Sequence, residues 1–260
     1  MRVPIYQIDA FAEKPFEGNP AAVCPLDDWL PDEVLLSIAE ENNLSETAFF
    51  VVTSKGFHIR WFTPVTEVDL CGHATLASAH VIFHCLEYEE DVIVFESRSG
   101  ILNVSRNEGY LVMDFPAQPP SVCDTPKEIS LALGIEPIEC LKAEDYIVAL
   151  ESEADVLAVA PDLEMLKKLD LRGVVITARS NNFDFVSRCF APKYGINEDP
   201  VTGSTHTELI PYWSKKLHKT HLHAKQVSKR GGELYCEFLG DRVRISGKGV
   251  KYLQGEIEII

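Results

Sequence analysis

Three stretches of the chain carry residue types that could do chemistry together. Glu46 lies in LSETAFFVV (residues 44–52), directly ahead of an apolar run; His73 follows Gly72 in CGHAT; Asp199, Gly203 and Ser204 sit in EDPVTGSTH (residues 198–206). A carboxylate leading into an apolar strand can project into a cleft, partly desolvated, where it suits proton transfer. Read locally, an ordinary surface position explains Glu46 more simply. Gly72 and Gly203 each precede small residues and then an apolar run, the mark of a helix start. Such starts leave backbone N–H groups free to receive a carboxylate or phosphate. His73 either caps its helix or contacts that ligand. Asn19, in the turn EGNP (residues 17–20), reads as an ordinary loop residue beside a glycine that permits positive φ.

The elements that must position these groups follow from periodicity. Alternating apolar residues predict strands over 3–11, 48–52, 57–63, 146–150, 173–177 and 183–190, with others near 91–115 and 234–260. Residues 31–42 open with proline and two acids and carry apolar residues at helical spacing, predicting a helix. Residues 72–86 predict a helix apolar on nearly every side and therefore buried, and residues 203–217 predict a further helix. RWFTP at 60–64 is echoed by RCFAP at 188–192, and Glu67 and Glu198 each stand five residues before a glycine. An echo at half the chain length points to duplication, hence two lobes with the glycine turns meeting in a cleft. Prolines in FPAQPP (residues 115–120) place the boundary there, giving lobes 1–118 and 119–260, with the last strand able to return to the first lobe.

Charge excludes one class of partner. With a formal charge of −16 and no basic stripe, the chain would be repelled by nucleic acid. No apolar run reaches membrane-spanning length and no signal-type N-terminus precedes the first strand, so a cytoplasmic protein without membrane association is expected. Seven scattered cysteines with no CxxC pair favour reduced thiols over disulfides or a zinc knuckle. His218, His221 and His223 lack convergent acidic or thiol partners, so no metal is expected there.

GNPAAV, NNLSETAFF, TEVDLCGHATLASA, FVSRCFAP and EDPVTGSTH, in that order along most of the chain, resemble the PhzF family of phenazine biosynthesis-like proteins. The resemblance implies an α+β, diaminopimelate epimerase-like fold: two pseudo-symmetric lobes, each an antiparallel, barrel-like sheet around a central α-helix. It also implies a cofactor-independent, metal-free isomerase acting as a homodimer on a small carboxylate-bearing substrate. By the same carry-over Glu46, His73 and Asp199 are the catalytic positions, and Asn19, Gly72, Gly203 and Ser204 hold the substrate. Thr205 departs from the alanine common in relatives and would narrow the pocket beside Ser204.

The same fold serves epimerases that use two thiols. Cys71 precedes Gly72 where one such thiol would stand, but Thr202 precedes Gly203, and a hydroxyl is too weak an acid to trade roles with a thiolate. Proton transfer by Glu46 is therefore preferred. A non-catalytic small-acid binding protein, or an epimerase pairing Glu46 with Cys71, are the alternatives.

Overall fold

A computed structural model describes residues 1–259. The chain divides into two compact units: Met1–Asp114 together with the residues from Ser246 onward, and Phe115–Ile245. In chain order the strands are β1 (Arg2–Ala10), β2 (Asn19–Leu26), β3 (Glu46–Thr53), β4 (Gly56–Phe62), β5 (Glu67–Val68), β6 (Val92–Ser97), β7 (Gly100–Asn107) and β8 (Tyr110–Pro116). There follow β9 (Ser121–Val122), β10 (Glu139–Lys142), β11 (Tyr146–Ala149), β12 (Val174–Arg179), β13 (Phe185–Ala191) and β14 (Ile196–Asp199). The last four are β15 (His221–Gln226), β16 (Gly232–Phe238), β17 (Arg242–Gly247) and β18 (Gly249–Glu258). The helices are α1 (Asp32–Asn42), α2 (Gly72–His80), α3 (Lys127–Leu133), α4 (Glu153–Ala158), α5 (Leu163–Leu166) and α6 (Gly203–Leu217).

The first unit's sheet runs β18–β1–β2–β3–β4–β6–β7–β8. The second unit's runs β9–β10–β11–β12–β13–β15–β16. Both are mixed, which corrects the expectation of wholly antiparallel sheets. β2/β3 and β4/β6 are parallel in the first unit, and β11/β12 and β13/β15 in the second. The cause is the connections: α1 and α2 carry the chain across the first sheet, as α4–α5 and α6 do in the second, and a helical crossover returns it in the same direction. The order antiparallel, parallel, antiparallel, parallel, antiparallel recurs in both units, so the duplication read from the sequence is repeated in strand pairing.

The RWF/RCF echo has a structural cause. Arg60 on β4 makes two hydrogen bonds of 2.7 Å to the Glu67 carboxylate and stacks over Phe62 at 5.1 Å. Arg188 on β13 does the same to Glu198, at 2.7 and 3.1 Å, over Phe190 at 5.0 Å. The planar guanidinium fork matches a carboxylate while its face rests on a ring. Each pair ties a sheet strand to the short strand ahead of a central helix. The three-residue insertion in the second copy is taken up by the 3-10 turn Pro192–Tyr194 and a register shift between Cys189 and Ala191.

α2 is buried from Gly72 through Ala79 and packs on β1, β2, β3 and β18. It is shorter than the helix expected over 72–86, because the chain passes into a π-helical turn at Val81–Cys85. α6 covers the range expected for it. Its Trp213 donates to Thr177 Oγ1 on β12 at 2.9 Å and stacks on Phe185 of β13 at 5.6 Å.

Candidate active site

In the first unit, Glu46 is the opening residue of β3 rather than part of a loop, and it is buried. The helix α1 is capped by Asn43, whose left-handed backbone (φ 48) turns the chain toward the strand. Glu46 is in parallel register with Ala21 on β2. Asn19, two residues earlier on β2, lies on the same face and is fully buried. Gly18 holds the turn before it: its φ is 65, and a Cβ there would stand 2.1 Å from the Ala10 carbonyl oxygen.

α2 delivers the remaining groups. Cys71 is its N-cap and makes no side-chain cap, and the first turn holds no acidic residue. The Cys71 carbonyl accepts from Thr75 N at 3.1 Å and Thr75 Oγ1 at 2.6 Å, so that corner of the helix is tied. The Cys71 sulfur lies 3.5 Å from His73 Nδ1, and His73 Nε2 lies 3.2 Å from Glu46 Oε2. That last contact is close without being aligned as a hydrogen bond, so both atoms remain unsatisfied and face the same space. The three groups could together hold a metal ion, their ligand atoms lying within 4.8 Å of one another.

Burial sets the protonation states. It would depress the His73 imidazole, but the Cys71 and Glu46 groups outweigh it and hold His73 well above its ordinary value. Burial, with the Glu46 charge, pushes the Cys71 thiol up to about 11. The same neighbours thus favour the charged imidazole and disfavour the thiolate.

The second unit places Asp199 at the end of β14, buried, where its Oδ2 accepts from Thr202 Oγ1 at 2.5 Å. Thr202 stands at the N-cap of α6. Its amide donates to Gln226 Oε1 at 2.9 Å, while Gln226 Nε2 donates to the Asp199 carbonyl at 2.7 Å and to Thr202 Oγ1 at 3.1 Å. His206 Nδ1 bonds the Thr202 carbonyl at 2.7 Å. Burial drives the His206 imidazole down to about 4, so it is neutral and donates from Nδ1. The hydroxyl that replaces the second thiol is therefore committed to a carboxylate. Gly203 and Ser204 open α6, whose first turn also lacks an acid.

A family model described as phenazine biosynthesis-like protein matches residues 8–255. The chain belongs to this PhzF family. It is 55% identical over 259 residues to a Pseudomonas aeruginosa protein named as an uncharacterized isomerase, covering all of both chains. It superposes on the crystal structure of a PhzF-family protein from Enterococcus faecalis with a TM-score of 0.97 at 48% identity, again over the full length of both. A hydroxyproline epimerase from Agrobacterium vitis shares the fold, with a TM-score of 0.62 at 9% identity, over 98% of this chain and 92% of that one.

Sequence reasoning missed several residues that this PhzF-family structure brings to these sites. Gln226 carries no local signal, because its role depends on β15 pairing in parallel with β13. His206 stands four residues after Thr202, one helical turn, a spacing that could have suggested its bond to the Thr202 carbonyl. The histidines set aside as metal ligands are engaged separately. His218 ends α6 in a left-handed conformation, His221 lies 3.4 Å from Glu237, and His223 bonds Glu233 at 2.9 Å while stacking on Tyr235. Among the described residues no helix is long and apolar enough to cross a membrane.

Proposed function

We propose that the protein is a cofactor-independent isomerase that moves a proton within a small carboxylate-bearing substrate, with Glu46 as the general acid/base. The observation that carries this reading is the convergence of Glu46 Oε2 and His73 Nε2, 3.2 Å apart, buried and unsatisfied. Glu46 takes a proton from a carbon next to the substrate's electron-withdrawing group. The His73 imidazolium steadies the negative charge left behind, and Glu46 returns the proton to another carbon on the same face. The uncapped start of α2 at Gly72 offers backbone N–H groups and a partial positive charge to the substrate carboxylate. Asn19, Asp199, Gly203 and Ser204 are proposed substrate contacts, Asp199 also assisting proton movement. The name of the Pseudomonas relative supports the isomerase class.

The test is solvent deuterium incorporation into a turned-over acid. Glu46→Gln abolishes incorporation and leaves ligand binding largely intact. Full exchange in that variant overturns the proposal. One observation favours a second reading, an epimerase pairing Glu46 with Cys71: the sulfur is 3.5 Å from His73. Cys71→Ala would then be inactive. A homodimer in the cytoplasm belongs to the same proposal, and light scattering measures the mass.

A further inference from the structure

We propose that Glu46, Cys71 and His73 form a binding site for a thiophilic divalent cation of the zinc class, and that the ion silences the site when bound. The ligand set is the first reason. A thiolate, an imidazole and a carboxylate are the three donor types zinc accepts in sites that keep a fourth position open. The thiolate also selects against hard ions such as magnesium and calcium.

Geometry is the second. Tetrahedral zinc with bonds of about 2.0–2.3 Å separates nitrogen from oxygen by about 3.3 Å and sulfur from nitrogen by about 3.6 Å. Here one ligand atom from each of the three residues lies within 4.8 Å of the others, with the carboxylate 3.2 Å from Nε2 and the sulfur 3.5 Å from Nδ1. The His73–Glu46 contact is misaligned as a hydrogen bond, and neither atom has another partner. Two unsatisfied buried atoms that approach without pointing at each other can both point at a third. The sulfur now lies beside Nδ1 and the carboxylate beside Nε2, so one of them must swing to share a nitrogen. Cys71, with a single side-chain torsion, can supply that movement.

Charge is the third. A bound thiolate and carboxylate carry two negative charges against the two positive charges of the ion, so the buried site takes the ion without residual net charge. Ligation requires the thiolate, so binding releases the thiol proton to solvent and tightens as pH rises. The bound ion occupies the carboxylate and imidazole assigned to proton transfer under the proposed function.

The experiment uses the full chain, stripped with chelator and titrated with Cd²⁺ and Co²⁺ without substrate, following the thiolate-to-metal charge-transfer band. The expected result is one ion per chain with the band present, tightening as pH rises. Cys71→Ala and Cys71→Ser abolish the band, and Glu46→Gln weakens binding by about 10-fold or more. Cys85→Ser and Cys123→Ser, at more exposed thiols, leave it intact. Melting curves confirm that each variant folds. No band, or a band that survives Cys71→Ala in a folded variant, overturns the site. The outcome is independent of the isomerase reading. Loss of the band leaves the isotope-exchange result of Glu46→Gln untouched, and a variant that exchanges fully defeats the isomerase reading while leaving the metal titration standing.

Discussion

Glu208 provides a prediction whose sign and size both follow from the structure. It sits in the middle of α6, fully buried, and neither carboxylate oxygen has a hydrogen-bond partner. Burial, reinforced by the Asp145 charge, raises its pKa from 4.5 to about 8, against the opposing pull of Arg172. Asp145 is itself held by Arg172 at 3.0 and 2.5 Å, with Glu144 3.4 Å from the same guanidinium. Because the folded pKa lies above the unfolded one, the folded state keeps a proton that the unfolded state has released. This contribution to stability is fully present below about 4.5 and is lost as pH rises through about 8. At about 1.4 kcal/mol per unit, the whole shift amounts to roughly 5 kcal/mol. Glu208→Gln keeps the shape of the protonated acid and cannot ionise. It leaves an amide in the same pocket, a cost of about 1–3 kcal/mol that does not change with pH. Denaturant unfolding at pH 5, 7 and 9 therefore shows the variant gaining on the parent by several kcal/mol between the lowest and highest pH. A difference that stays constant across that range refutes the reasoning, since it would mean the carboxylate ionises inside the fold as readily as in the unfolded chain.

Further outcomes follow from named contacts. Arg60→Lys keeps the charge but loses the two-pronged bond to Glu67 and the ring stacking, in a pair whose side chains are only 12% and 11% exposed; unfolding measurements should show a loss of about 1.5–3 kcal/mol, as for a lost hydrogen bond to a charged group. Substitution of the half-exposed Arg98, which also reaches Glu67, should cost under about 1 kcal/mol, in line with exposed pairs. Gly18→Ala forces a Cβ onto the Ala10 carbonyl in a left-handed conformation. It should lower stability by more than about 2 kcal/mol, and a melting curve matching the parent would show that the turn is not held as described.

Much of the architecture was legible in the chain, and the reasons are physical. A buried helix must be apolar on most sides and a half-buried strand must alternate, so α1, α2, α6 and most long strands could be read from spacing. The Arg–Phe–Glu echo survived in sequence because its contacts span only seven residues in the first copy and ten in the second. α4 and α5 carry weak signals in the sequence: both are brief, and their ends depend on Ser152 and Asp162 side-chain caps more than on a long apolar stripe. The parallel pairs were missed because alternation marks a strand without giving its direction.

The candidate site divides along the same line. The sequence by itself determined which residue types are available: a carboxylate before a strand, Cys-Gly-His at one helix start, and Asp-Pro-Val-Thr-Gly-Ser at the other. These are local patterns, and local patterns survive in a linear string. Only the tertiary structure decided that Glu46 lies 3.2 Å from His73 and Cys71 3.5 Å from it. It likewise decided that Thr202 is bound to Asp199 and Gln226 rather than left free, and that Glu208 is buried without a partner. Those facts depend on which strands pair and which helix they enclose, and they set the solvation and charge from which each group takes its chemistry.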